Sequence, residues 1–445
     1  MADRLYWNQR METLSGSELR AIETEALKKQ IAYVYRSSPF YRQKFDQAGF
    51  GPEEFKTWED LSRFPLTTKE DLRLTQEETG GLGGHQCADM ADIIRIQGTS
   101  GTTGRPLFIG LTRNDVNQWN ELFARHAWTG GLRPEDVFIN PANFTLFVGG
   151  LSECSGAEHL GLTTIPAPFI STGLEKLMML VKEFKPTVLF STPSACAFLE
   201  EAVRQYLKCE PNQLNFKKGF LAGEALSEEE RARIEKVWGI TARNFYGLAD
   251  VAADIAAECG RSPGLHFCGQ GALVAELLDP ETMESLPLET GREGEIVFTT
   301  INREATPVIR YRVRDLVRVY ADPCPCGRTG FRFHVIGRTD DMIKIKGVNV
   351  FPAAVKGVIQ GFASRVTGEF RIVLPHPGPS FGENLTLKIE PGGEVPAENL
   401  AELAEEIRRV IRERLVFTPI VEWVPPGSLP RSQYKVEYFE KVYEK

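Results

Sequence analysis

Gln97-Gly98-Thr99-Ser100-Gly101-Thr102-Thr103-Gly104-Arg105-Pro106 is the stretch on which the reading of this chain turns. Three glycines and four hydroxyl side chains fall between Gly98 and Gly104. Glycine lets the backbone curl until successive N–H groups converge on one anion. Thr and Ser hydroxyls complete a phosphate cradle or reach the magnesium ion that accompanies it. The run does not fit the nucleotide loop G-x-x-x-x-G-K-[ST], because Gly98 and Gly104 stand one residue too far apart and Arg105-Pro106 replaces Lys-Ser/Thr. Its flanks, Ile93–Ile96 and Leu107–Leu111, read as strands, whereas the nucleotide loop opens a helix.

Working outward, the chain has 445 residues, enough for two or three domains around a large core. Hydrophobic content of 42% and charged content of 25% are those of an ordinary globular enzyme. A net charge of −8 argues against a general nucleic-acid binder, which needs clustered cations. The first dozen residues carry no apolar signal core, no later run has the length of a membrane span, and eight cysteines are too few for a disulfide framework. The expectation is a cytoplasmic protein with no membrane or nucleic-acid partner.

Helical spacing of Leu19, Ile22, Ala26, Leu27 and Ile31 predicts an amphipathic helix from Ser17 to about Ala32. Strand-like runs at Val137–Asn140, Thr163–Pro166, Thr187–Phe190 and Gly219–Ala222 alternate with helical stretches such as Leu174–Phe184. That alternation predicts an α/β body with a largely parallel sheet. From Gly291 the texture turns β-rich, with strands at Glu295–Thr300 and Leu316–Val319, and Leu400–Leu415 reads as an amphipathic helix.

Further motifs follow in order: Leu221–Leu226, Phe245-Tyr246-Gly247-Leu248-Ala249-Asp250, Ile309–Leu316, and Gly337-Arg338-Thr339-Asp340-Asp341 running on to Pro352. With the opening loop, this series resembles the adenylate-forming acyl-CoA synthetases. Phe64–Lys69, Leu146–Leu151, Gly156-Ala157-Glu158 and Asp322-Pro323-Cys324-Pro325-Cys326-Gly327-Arg328 narrow the resemblance to the phenylacetate–CoA ligase branch. It covers nearly the whole chain.

The resemblance implies a fold and a chemistry. A large multi-subdomain adenylation domain, residues 1–337, would precede a small α+β lid, residues 338–445, hinged near Asp340. An aryl carboxylate would attack the α-phosphate of ATP, and the resulting acyl-adenylate would pass its acyl group to coenzyme A. Thr99, Ser100, Gly101, Thr102, Thr103 and Gly104 would hold the phosphates. Gly223-Glu224-Ala225, with Phe245, Tyr246 and Gly247, would line the adenine pocket, Asp315 would take the ribose hydroxyls, and Arg338 would be a further contact. Lys435 would bridge carboxylate and phosphate. Phe144, Ser152 and Cys154 would face the acid, and Gly347-Val348-Asn349 the thiol. A homodimer is expected by analogy alone.

Two departures stand out. Where the family reads Tyr-Gly-x-Ser/Thr-Glu, this chain has Ala249-Asp250, so Asp250 becomes the magnesium candidate, with Asp254 as a substitute and a helix N-cap as the plain alternative for Asp250. Cys154 and Ser155 stand where the family has His and Tyr, and Tyr434 where its lysine motif has Gly. Plain alternatives also hold for Tyr246 as a core aromatic and for Asp315 as a surface partner of Arg312 or Arg314. Transfer to a carrier protein or an amine, or a silent nucleotide-binding relative, stays open. Independently of the family, Cys259, His266, Cys324 and Cys326 pair as candidate ligands for a closed structural zinc, with Cys268 as an alternative to His266.

Overall fold

The computed structural model describes residues 4–99, 106–393, 395–430 and 437–444. The chain divides into two compact units, Met1–Glu224 with Ile234–His334, and Ala225–Arg233 with Val335–Lys445.

In the first unit, β1 (Ile93–Gly98) and β2 (Phe108–Thr112) form an antiparallel pair, so the glycine- and hydroxyl-rich run does connect two strands. A large sheet follows, made of β3 (Val137–Asn140), β4 (Thr163–Pro166), β5 (Val188–Ser191), β6 (Lys218–Leu221), β7 (Thr241–Leu248), β8 (Ala252–Ala257), β9 (Leu265–Phe267), β10 (Leu273–Leu278), β11 (Ser285–Leu286), β12 (Glu293–Thr300), β13 (Tyr311–Tyr320) and β14 (Arg332–Arg338), whose residues from Val335 on are counted with the second unit. Its order is β11-β10-β12-β13-β14-β9-β8-β7-β6-β5-β3-β4. The stretch β4-β3-β5-β6-β7 is parallel, as short apolar strands joined through helices require.

Beyond β7 the pairing turns antiparallel, at β7–β8, β8–β9, β9–β14, β12–β13, β10–β12 and β10–β11. The expectation of a largely parallel sheet therefore holds for one half only. The reason lies in the connections. From Phe245 to β14 no helix intervenes between strands, and parallel neighbours need such a crossover, so the strands pair antiparallel, β9 with β14 across the intervening β10 to β13.

An aromatic core of Phe123, Phe138, Phe190, Phe220 and Phe245 lies under the parallel half. The helix expected at Ser17–Ala32 runs from Gly16 to Ser37, with a full capping box between Ser15 and Glu18. The helix Leu174–Phe184 has the expected limits.

The second unit has its own core, including Val355, Ile359, Phe370, Ile372, Ile389, Leu403, Ile407 and Ile411. Strands β15 (Ile343–Ile345), β16 (Val348–Val350) and β18 (Ser380–Phe381) form one sheet; β17 (Val366–Leu374), β19 (Thr386–Pro391), β20 (Ile420–Trp423) and β21 (Phe439–Lys441) form another. The amphipathic helix Leu400–Leu415 places Leu403, Ile407 and Ile411 in this core at helical spacing. Among the described residues no helix is long and apolar enough to cross a membrane.

Candidate active site

Thr99 closes the neck of the opening loop: its N–H donates to Leu107 O at 3.0 Å, and its hydroxyl accepts from Leu107 N at 3.3 Å. Ser100, Gly101, Thr102, Thr103 and Gly104 lie outside the described residues, as does Lys435.

The hairpin β7–β8 carries the next motif. Gly247 sits at a register shift, where a Cβ would meet Ala253 O at 1.6 Å, so no other residue fits without moving backbone. Phe245 points into the core, stacked on Phe220 at 3.7 Å between ring centres, so its ring packs beneath the hairpin. Tyr246 instead donates its hydroxyl to Asp315 Oδ2 at 2.5 Å. Asp315 is 4% exposed, and the arginines that offered it a surface partnership pair elsewhere, Arg312 with Glu295 and Arg314 with Glu70.

Asp250 lies in the turn between β7 and β8, which rules out a helix N-cap there. Its Oδ2 accepts from Tyr311 Oη at 2.5 Å and lies 3.3 Å from Lys69 Nζ, while Oδ1 is buried without a hydrogen-bond partner among the described residues. Tyr311 and Asp315 stand four residues apart on the same face of β13, so one strand supports both carboxylate sites. Thr67 pairs with Tyr311 through Thr67 N to Arg310 O and Arg312 N to Thr67 O, which brings the Phe64–Lys69 motif alongside. Arg310 adopts φ +46° and is gripped by the Glu276 carboxylate at 3.1 Å and the carbonyls of Ser62 and Phe64. Lys69 and Tyr311 were visible in the sequence as parts of motifs but carried no role. Their convergence on Asp250, from positions 242 residues apart, is a product of the fold.

Asp254 has a different setting. It is 2% exposed, with its Oδ1 3.1 Å from His126 Nδ1. Glu153 is buried beside it, and burial, with the Asp254 charge as a second cause, pushes the Glu153 carboxyl well above its usual range.

Glu224 accepts from Ser194 Oγ at 2.5 Å and Ser194 N at 3.2 Å, which sets its charge at the positive end of helix Pro193–Ala202. Gly223, just before it, has φ +82°. On the acid side, Phe144 is half-buried. Ser152 donates to buried Gln97 at 2.7 Å, on helix Val148–Leu160. Cys154 lies 3.5 Å from Asn140 Nδ2, and burial pushes its thiol up to about 12, so it packs as a neutral group.

In the second unit Ala225 belongs to the short segment preceding Arg233. Arg338 grips Asp340 with two bonds of 2.9 Å. Gly347 (φ +85°) and Lys346 (φ +49°) form the two-residue turn of the β15–β16 hairpin, the geometry a type I′ turn requires. Val348 and exposed Asn349 follow it.

The four candidate metal ligands converge. Ligand atoms of Cys259, His266, Cys324 and Cys326 all lie within 4.8 Å of one another. Cys259 Sγ is 3.7 Å from Cys324 Sγ, and Cys326 Sγ is 3.4 Å from His266 Nε2. A tetrahedron built on Zn–S of about 2.3 Å and Zn–N of about 2.1 Å has edges of about 3.8 and 3.6 Å, so the set fits. Cys268 is not in it; buried, it bonds the His266 carbonyl.

Residues 28–302 match the AMP-binding enzyme family, and residues 347–440 match the AMP-binding enzyme C-terminal domain. The chain belongs to the AMP-binding enzyme family. Phenylacetate-coenzyme A ligase of Thermus thermophilus is 35% identical over 445 aligned residues, covering 96% of this chain and 97% of that one. The ligase of the same name from Escherichia coli is 34% identical, covering 96% and 95%. These put the chain in the phenylacetate–CoA ligase branch. A crystal structure of 2-hydroxyisobutyryl-CoA ligase in complex with 2-HIB-AMP is 29% identical, with a TM-score of 0.91, covering all of this chain and 94% of that one.

Proposed function

We propose that this AMP-binding enzyme is an ATP-dependent aryl-CoA ligase. The acid's carboxylate oxygen attacks the α-phosphorus of ATP and the bond to pyrophosphate breaks, giving an acyl-adenylate. The sulfur of coenzyme A then attacks the acyl carbon, AMP leaves, and the thiol proton passes to solvent. An anion meeting a polyanion needs charge neutralisation and positioning more than covalent help.

The observation that carries this reading is the pair of tyrosine–carboxylate bonds built on β13. Tyr246 holds Asp315, which would take the ribose hydroxyls, and Tyr311 with Lys69 holds Asp250. The unpartnered Oδ1 of Asp250 suits a hard cation, and magnesium there would supply charge stabilisation to the phosphates. Thr99 with Ser100–Gly104 would cradle the phosphates, and Gly223-Glu224-Ala225 with Tyr246 would hold adenine over the Gly247 bulge. Arg338 would add a contact. Lys435 would bridge the attacking carboxylate and the phosphoryl oxygens as a mobile point charge. Asp340 would be the hinge that exchanges Lys435 for Gly347-Val348-Asn349. Phe144 and the small Ser152 and Cys154 favour an aryl acid. The Cys259/His266/Cys324/Cys326 set would hold a zinc with no open position, hence a structural one.

The test is product analysis with phenylacetate, ATP, magnesium and either coenzyme A or a phosphopantetheinyl carrier. Phenylacetyl-CoA with one AMP and one pyrophosphate is expected. Acyl transfer to the carrier alone would overturn the acceptor, and absence of acid-dependent AMP with every aryl acid would overturn the activity. Lys435→Ala abolishes carboxylate-dependent pyrophosphate exchange on this account.

A further inference from the structure

We infer that the metal bound by Cys259, His266, Cys324 and Cys326 is a clasp that holds the N-terminal segment, residues 4–13, onto the first unit. The inference rests on the zinc reading of the cluster and not on the ligase reading. Cys259 follows β8, His266 lies on β9, and Cys324 and Cys326 lie on the connection between β13 and β14. That connection, residues 321–331, has no regular secondary structure. The metal would tie it to the sheet, which leaves no position for a substrate. Binding converts three thiols to thiolates and releases their protons to solvent.

The N-terminal segment bonds this connection as well as Glu121 and Trp128 of the helix Arg113–Thr129. Tyr6 Oη donates to Cys326 O at 3.2 Å, and a Cβ on Gly327 would meet that hydroxyl at 2.2 Å. Arg328 reaches Glu12 Oε2 at 2.8 Å, an ion pair with both side chains under a tenth exposed. Arg328 also lies over the Tyr6 ring at 5.2 Å, and Thr329 N donates to Glu12 O at 3.1 Å. A buried carboxylate on the N-terminal segment thus depends for its partner on a residue two positions from a metal ligand. Losing one partner of such a pair is costly, so release of the connection loosens the segment, leaving it to the bonds of Trp7 and Asn8 on Glu121 and of Trp128 on the Arg4 carbonyl.

The test uses the whole protein as purified. Elemental analysis reads metal content, and amide exchange is followed before chelation, after chelation, and after zinc is restored. One zinc per chain is expected, with exchange at residues 4–13 and 321–331 rising about tenfold or more on metal removal while β3 to β7 keep their protection. Restored zinc reverses the change. Glu12→Gln, a second arm that leaves the ligands intact, keeps the zinc and loosens residues 4–13. Metal far below one per chain, unchanged exchange at 4–13 after its removal, or loss of protection throughout the sheet would each overturn the clasp. None of these readouts depends on ligase turnover.

Discussion

Asp250 and Asp254 stand four residues apart on one hairpin, and they teach different lessons. Asp250 lies in the turn, held on one oxygen by Tyr311 and Lys69, with its other oxygen unpartnered among the described residues. Asp254 lies inside β8, shut in by His126 and Glu153. Both have an oxygen without a hydrogen-bond partner among the described residues, yet only Asp250 is oriented through its other oxygen by donors, and only Asp250 keeps some exposure, 11% of its side chain against 2% for Asp254. A carboxylate's role is set by what holds its first oxygen and how far its second is shut in, and sequence spacing carries neither.

The largest effect is expected at Asp250 itself. Asp250→Ala should lower ATP–pyrophosphate exchange by about 10³, the scale of losing one preorganised charge contact. Asp254→Asn should leave the magnesium dependence of exchange within about twofold of the parent, since no ligand is lost. Equal effects from the two would dissolve the distinction. Next in size is Gly247→Ala, which forces a methyl into the Ala253 carbonyl and should cost about 3 kcal/mol of stability, read by denaturant unfolding. Tyr311→Phe removes one bond to Asp250 and should cost about tenfold in exchange, mostly in kcat rather than in ATP affinity. The smallest effect is expected at Glu153. Its carboxyl is raised above the usual 4.5, so its contribution to stability is full below that pH and is lost as pH rises through the raised value. Glu153→Gln should flatten the fall in stability above about pH 4.5, with activity near parent levels.

Much of this was legible before the fold. The parallel strands β3 to β6 and the helices at Leu174–Phe184 and Leu400–Leu415 follow from apolar period alone. The Cys/His set followed from short-range pairing, and the structure brings its four members together. The antiparallel half was not legible, because apolar runs do not declare their direction. Lys69 and Tyr311 escaped for a related reason: each is an unexceptional residue until β13 sets Thr67 beside Tyr311. The choice between Asp250 and Asp254 likewise needed burial and partners, which spacing does not carry.

Acid-dependent adenylate formation is read out by ATP–pyrophosphate exchange without coenzyme A. Exchange that requires an aryl acid, requires magnesium and disappears in Lys435→Ala is the predicted result. Exchange that proceeds without acid, or none with any aryl acid while ATP still binds, would contradict it.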